Sequence, residues 1–295
     1  AAVGAPVDEL PILIWAQGTP GLADVCAPSR NLWVPELDRA LAAGFLVVVP
    51  DGQGLGARGP AHYLIGQSEA RTTLDAARAA SLLPLSSSAG RKVALWGYSS
   101  GGHVVLSAAQ AASTYAPELE IVGTAALAPV VSVARLAGRP GKWPGFTFLV
   151  LGGWAKVHGL DPRTIFTERV IERLPRLSSE CPFTYLFDWF GWRRQDVVVA
   201  DPLTTSPWRQ LLDRELAGRT RTAGPLLLIQ GGQDTFVSPV ETARLATRLC
   251  RLDVDVRFVQ LAQRDHDIYE SEAPRVINWL ASRAAGRPAT SDCAG

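Results

Sequence analysis

Methionine is absent from all 295 residues, the initiator included. The chain therefore reads as processed or cut from a longer coding sequence, and loss of a secretion leader fits that reading, although residues 1 onward lack the basic-then-apolar layout of a leader peptide. Long apolar runs are also missing. None approaches the roughly 18 residues that a bilayer-spanning helix needs, so a soluble chain is expected. Charge of one sign is lacking too: 29 basic residues face 28 acidic ones, a net charge of +1. No overall field recruits nucleic acid or an anionic membrane, which points to a small or uncharged partner. The four cysteines and four histidines show no CxxC, HxxxH or HExxH spacing, which argues against a metal.

What is present is enough apolar sequence for a large core: 47% of residues are hydrophobic and 19% charged. Apolar runs at 10–16 (LPILIWA), 45–50 (FLVVVP), 92–96 (KVALW), 121–127 (IVGTAAL), 226–230 (LLLIQ) and 254–261 (VDVRFVQL) read as buried strands. Helical patterns near 32–43, 66–83, 101–116, 238–251 and 272–285 alternate with them. That alternation predicts an α/β fold, a mostly parallel sheet with helices on both faces.

One region breaks the alternation. Residues 137–200 hold eleven of the 23 aromatic residues and offer no strand-like run before VVVA at 197–200. The expected organisation is therefore a core of 1–136 and 201–295 with an inserted, aromatic-rich helical cap at 137–200. Such a cap either packs on the sheet or walls a pocket. The second role suits an insertion just after a strand end, where open α/β sheets bind ligands.

Two glycine-rich stretches compete for a functional role. Gly54, Gly56 and Gly59 match GxGxxG after a strand, but Pro60 follows at once and no acidic residue closes a next strand. A tight loop is expected there rather than a dinucleotide site. Gly97-Tyr98-Ser99-Ser100-Gly101 is different, because a strand precedes it and a helix follows. This is the layout of a nucleophile elbow, where a serine sits on a strained turn and a Cβ at either flanking glycine would collide with a neighbouring strand or helix. Ser99 is the expected nucleophile, and the Ser100 N–H, at the helix start, is an expected oxyanion donor.

A nucleophile of this kind needs a base and an orienting acid, in the chain order Ser, Asp or Glu, His, each on a loop after a strand. Of the histidines, His62 and His158 follow no sheet strand beyond the elbow, and His103 lies on the elbow's own helix, pointing away. His266 alone follows a strand and precedes a helix. Asp234, directly after the strand LLLIQ, is the expected acid. Asp253 and Asp255 sit in or beside a strand, and Asp265 and Asp267 flank His266 too closely. The loop Gln17-Gly18-Thr19-Pro20-Gly21 after the first strand should supply the second oxyanion donor, with Gly18 permitting close approach and Thr19 donating its N–H. The chemistry expected is carboxylic-ester hydrolysis through an acyl-enzyme, on a neutral or apolar small-molecule or lipid ester, with no cofactor. An acyltransferase with the same residues, a prolyl oligopeptidase-type peptidase (which usually depends on a propeller domain this length cannot hold) and a hydrolase-like binding protein are the alternatives. Cys26, Cys181, Cys250 and Cys293 suit two disulfides in a secreted protein, with three pairings open.

Several motifs carry a resemblance beyond GxSxG. CAPS at 26–29, GYSSGGH at 97–103, YAPELEIVG at 115–123, the late Asp and His, and the inserted segment together resemble the secretory lipase family of α/β-hydrolases over most of the chain. The resemblance implies a secreted esterase or lipase with Ser99, Asp234 and His266 as its triad, a lid near 137–200, and disulfides Cys26–Cys181 and Cys250–Cys293. It also allows transient contact with a lipid interface. In two respects the sequence departs from the pattern: Gln17 stands where many hydrolases carry His before the loop glycine, and the N-terminal strands expected in the family are short or missing.

Overall fold

A computed structural model of the chain describes residues 10–83 and 89–293. The segment in which the family's N-terminal strands would fall, residues 1–9, lies outside the described residues.

In chain order the elements are β1 (Leu10–Ala16), α1 (Leu37–Ala42), β2 (Leu46–Val48), α2 (Gly66–Ser81), β3 (Ala89–Tyr98), α3 (Ser100–Tyr115) and β4 (Glu120–Leu127). The helices α4 (Val133–Ala137), α5 (Pro144–His158), α6 (Glu168–Ile171), α7 (Arg194–Val197) and α8 (Trp208–Arg214) follow. The chain then returns to the sheet with β5 (Leu226–Gly231), α9 (Pro239–Cys250), β6 (Val256–Leu261) and α10 (Tyr269–Ala284). Among the described residues the six strands form one sheet in the order β2-β1-β3-β4-β5-β6, and every pairing is parallel.

The strands' apolar runs are continuous because both faces are covered. Ile12, Ile14, Val93, Leu95, Leu226 and Leu228 pack with α2, α3 and α9 residues such as Leu74, Val105 and Leu245. Their alternating neighbours Leu13, Trp15, Ala94, Trp96, Leu227 and Ile229 pack with Ala40 of α1 and Val276, Ile277 and Leu280 of α10. The period of two along each strand thus distributes one apolar run between two helical layers.

The crossover from β4 to β5 is helical and has its own core. Phe148, Leu151, Trp154, Phe166, Tyr185, Trp189 and Trp208 are buried together, with Tyr63 and Leu64 from the main body joining them. VVVA at 197–200 is not a strand: Val197 ends α7, and Val198 makes a single antiparallel bridge with Phe166. Its valines serve the helical core, Val197 and Val198 both being buried there. Helix α10 begins a turn earlier than its apolar pattern suggests, with Pro274 inside it. Buried Ile268 and the Tyr269 ring, packed edge-on to Trp33, hold that extra turn.

Candidate active site

Strand β3 lies in the middle of the sheet and delivers Ser99 at its carboxyl end. Ser99 has φ 55° and ψ −115°, a backbone conformation that costs a non-glycine residue about 1–3 kcal/mol. Two hydrogen bonds hold it in place: the Ser99 N–H donates to the Leu127 carbonyl at 2.9 Å, and the Val130 N–H donates to the Ser99 carbonyl at 3.0 Å. The flanking glycines are required by close approach. A Cβ on Gly97 would lie 2.1 Å from the Gly101 carbonyl oxygen, and one on Gly101 would lie 1.9 Å from that of Ala16 in β1.

The loops after β5 and β6 bring the other two residues to Ser99. Nδ1 of His266 donates to Asp234 Oδ2 at 2.7 Å, which leaves Nε2 to accept from the Ser99 hydroxyl at 3.1 Å. Asp234 is buried, and its charge is met by donors on both oxygens. Oδ1 accepts the N–H groups of Phe236 at 2.9 Å and Val237 at 2.8 Å, and Oδ2 also accepts from Gln230 Nε2 at 2.9 Å. Gln230 is itself fully buried in β5 and accepts from Thr242 Oγ1 at 2.8 Å. A carboxylate so surrounded is fixed in orientation and fixes the imidazole in turn. The rings of Phe236 and Tyr98 lie beside His266 at centroid distances of 5.4 and 5.1 Å.

A cavity of about 550 Å³ opens over Ser99 and His266. Gln17, Gly18 and Thr19 border one side, Trp33, Tyr98 and Tyr269 another, and Phe146, Phe183, Leu186 and Phe187 come from the helical crossover. Gly18 sits where a Cβ would be 3.6 Å from that of Ser99, so the β1 loop crosses directly beside the serine. Thr19 lines the cavity, and Ser100 is buried at the first turn of α3. Cys26 and Cys181 also reach the cavity and are joined to each other, as Cys250 is to Cys293. Gly54, Gly56 and Gly59 lie in the loop before α2, all at positive φ, and open no helix.

The remaining histidines stand apart from the serine. His103 is buried on α3 with Nδ1 3.0 Å from the Val130 carbonyl oxygen and Nε2 3.5 Å from Glu215 Oε2. Burial opposes its charged form, but the hydrogen bond to Glu215 and the charges of Glu69 and Glu215 outweigh it and raise its pKa. Burial pushes the Glu69 carboxyl up to about 7. No sequence spacing announces this cluster, Gln230 or Tyr63: the cluster and Tyr63 draw partners from distant segments, and Gln230 meets Asp234 and Thr242 only once the loop after β5 has folded back.

Comparison with known proteins places the chain. The sequence model described as "Secretory lipase" matches residues 34–292. The chain belongs to the secretory lipase family. Within curated relatives, a protein of Mycobacterium tuberculosis named "Probable inactive lipase" is 24% identical over 97% of this chain and 68% of its own length. A secreted triacylglycerol lipase of Malassezia globosa is 27% identical over 96% of this chain and 67% of its own. Among solved structures, Candida antarctica lipase A in its closed state superposes with a TM-score of 0.85 at 20% identity, covering 98% of this chain and 74% of that one. A rice cell wall degrading esterase of Xanthomonas oryzae, as a point mutant, superposes with a TM-score of 0.74 at 18% identity, over 94% and 81% of the two chains. The α/β-hydrolase fold of these lipases is the fold of this secretory lipase family member, and its family and two disulfides mark it as a secreted protein.

Proposed function

We propose that this chain is a serine carboxylic-ester hydrolase that works through an acyl-enzyme on neutral, apolar esters. The observation that carries the reading is the continuous hydrogen-bond chain from Ser99 through His266 to Asp234 at the floor of the apolar cavity. In this mechanism the Ser99 oxygen attacks the ester carbonyl while His266 Nε2 takes its proton, and Asp234 stabilises the imidazolium. The carbonyl oxygen becomes an oxyanion held by the N–H groups of Ser100 and Thr19. As the intermediate collapses, His266 returns the proton to the departing alcohol. Water then attacks the acyl group on Ser99 with the same base, releasing the carboxylic acid.

Residues 137–200 act in this reading as the cap. Their side chains Phe146, Phe183, Leu186 and Phe187 supply one apolar wall of the cavity, which suits an acyl chain rather than a charged substrate. Phe183 and Phe187 remain exposed at its rim, the kind of surface that meets an insoluble lipid. No helix among the described residues is long and apolar enough to cross a membrane.

Hydrolysis of p-nitrophenyl esters from acetate to palmitate, by wild type and Ser99→Ala side by side, tests the assignment. Turnover lost in the variant, and a single phosphonate adduct on Ser99 of the wild type, are the expected results. Near-wild-type activity in Ser99→Ala would refute the nucleophile. Absence of both turnover and labelling would give this chain the same character as its "inactive" mycobacterial relative's name.

A further inference from the structure

The loop between β2 and α2 carries a tyrosine whose hydroxyl meets the side chain of Thr19, one of the two expected oxyanion donors. Tyr63 is almost fully buried and does not line the catalytic cavity. Its hydroxyl lies 2.8 Å from Thr19 Oγ1. Thr19 sits on the loop after β1, whereas Ser100 opens α3 after β3, so no backbone hydrogen bond of one secondary-structure element fixes these two residues relative to each other. The phenol of Tyr63 ties the Thr19 loop to the segment before α2.

Tyr63 is in turn held from two sides. Its carbonyl accepts from Trp154 Nε1 of α5 at 2.9 Å, and the next residue, Leu64, donates its N–H to Glu69 Oε1 at 3.0 Å. Leu64 has φ 54°, a left-handed conformation that a leucine keeps only where its surroundings impose it. The result is a continuous path from the helical crossover, through Trp154 and Tyr63, to Thr19.

From this arrangement we infer that Tyr63 is a positioning residue for the oxyanion hole, fixing the loop that carries the Thr19 N–H without touching substrate itself. The inference rests on the hydrolase reading above. It gives α5 a part in transition-state stabilisation, since Trp154 anchors the tyrosine's backbone. Donors aimed at a developing oxyanion act by being fixed before the charge appears, and a displacement of about 1 Å in such a site costs up to roughly 100-fold in rate. A tyrosine that only filled space would have no such leverage, because phenylalanine fills nearly the same volume.

Tyr63→Phe and Thr19→Val each remove the hydrogen bond from one side, and Thr19→Val keeps its backbone N–H. For both, kcat on a p-nitrophenyl ester should fall by roughly 10- to 100-fold with KM within about twofold. Affinity for an alkyl trifluoromethyl ketone, whose serine hemiketal carries the oxyanion, should fall by the same factor as kcat/KM. The double variant should lose little more than either single one. Wild-type turnover that Ser99→Ala abolishes, combined with unchanged kcat and ketone affinity in both variants, would overturn this inference alone. Losses that appear only in KM, or that simply add in the double variant, would do the same. Should Tyr63→Phe fail to fold, Thr19→Val on its own decides between these outcomes. A wild type inert toward every ester would remove the hydrolase reading and this inference together.

Discussion

The Glu215 carboxylate stands 3.5 Å from Nε2 of His103, on the helix that Ser99 begins. The same Glu215 oxygen accepts the Gly66 N–H at the start of α2, and buried Glu69 lies on that helix. Two carboxyl groups and an imidazole therefore share a largely buried space beside the helix that follows Ser99, where ionisation state and packing are coupled.

That coupling gives stability a defined pH dependence. The Glu69 pKa rises from an ordinary 4.5 to about 7 on folding, so between these values the folded chain binds a proton that the unfolded chain releases. Its contribution is fully present below about pH 4.5 and is lost as the pH climbs through 7. The raised pKa of His103 acts in the same direction above its ordinary 6.5. Glu69→Gln should flatten the fall in Tm between pH 5 and 8 relative to wild type, measured by thermal melts across that range. An unchanged difference between the two proteins at both ends would contradict the assignment.

Asp234→Asn should leave the fold intact and lower kcat on the order of 10⁴-fold, because an amide can no longer both accept from His266 Nδ1 and keep its present donors. Gln230→Leu acts one step back. It removes a donor to Asp234 and an acceptor for Thr242, and should cost about 1–3 kcal/mol of stability with a smaller loss of kcat than Asp234→Asn. Denaturant titration and steady-state kinetics on the two variants give both orderings.

The two disulfides should differ in what their loss does. On loop-closure grounds, the span of 155 residues closed by Cys26–Cys181 corresponds to about 5 kcal/mol, and the 43 residues closed by Cys250–Cys293 to about 4 kcal/mol. Only the first lines the cavity. Cys26→Ser/Cys181→Ser should therefore change the chain-length profile of ester hydrolysis as well as lower Tm, whereas Cys250→Ser/Cys293→Ser should lower Tm with the profile kept.

Phe236 lies against His266 and stacks on Trp143 at a centroid distance of 4.5 Å, and it lines the cavity. Phe236→Ala should raise KM for long-chain esters more than for acetate, with the distinction read from kcat/KM across the ester series.

Much of this architecture was legible in the sequence because its signals are local. Each sheet strand is an apolar run of a few residues, and both buried faces draw on the same run, so LPILIWA and LLLIQ declare themselves without reference to their neighbours. Ser99 is marked by glycines that close approach makes obligatory, and Asp234 and His266 by their place after strands. The region between β4 and β5 was harder to resolve. VVVA has the composition of a strand, but no sheet edge is offered to it and its valines fill a helical core instead. Tyr63, Gln230 and the pairing of His103 with Glu215 carry no periodicity at all. Tyr63 meets Thr19 across 44 positions and His103 meets Glu215 across 112, while Gln230 joins Asp234 to Thr242 through a fold of the loop after β5 that no repeat in the sequence marks.

The hydrogen bond between His266 and Ser99 spans 167 positions of sequence, and it depends on the order of strands in the sheet. β6 pairs with β5, β5 with β4, and β4 with β3, so the histidine loop is held beside the serine through three successive strand pairings. Contacts of such long range are the slow ones in folding. In the proposed hydrolase, the ability to cut esters is therefore a property of the completed sheet: a chain lacking β5 or β6 would hold Ser99 with no imidazole beside it.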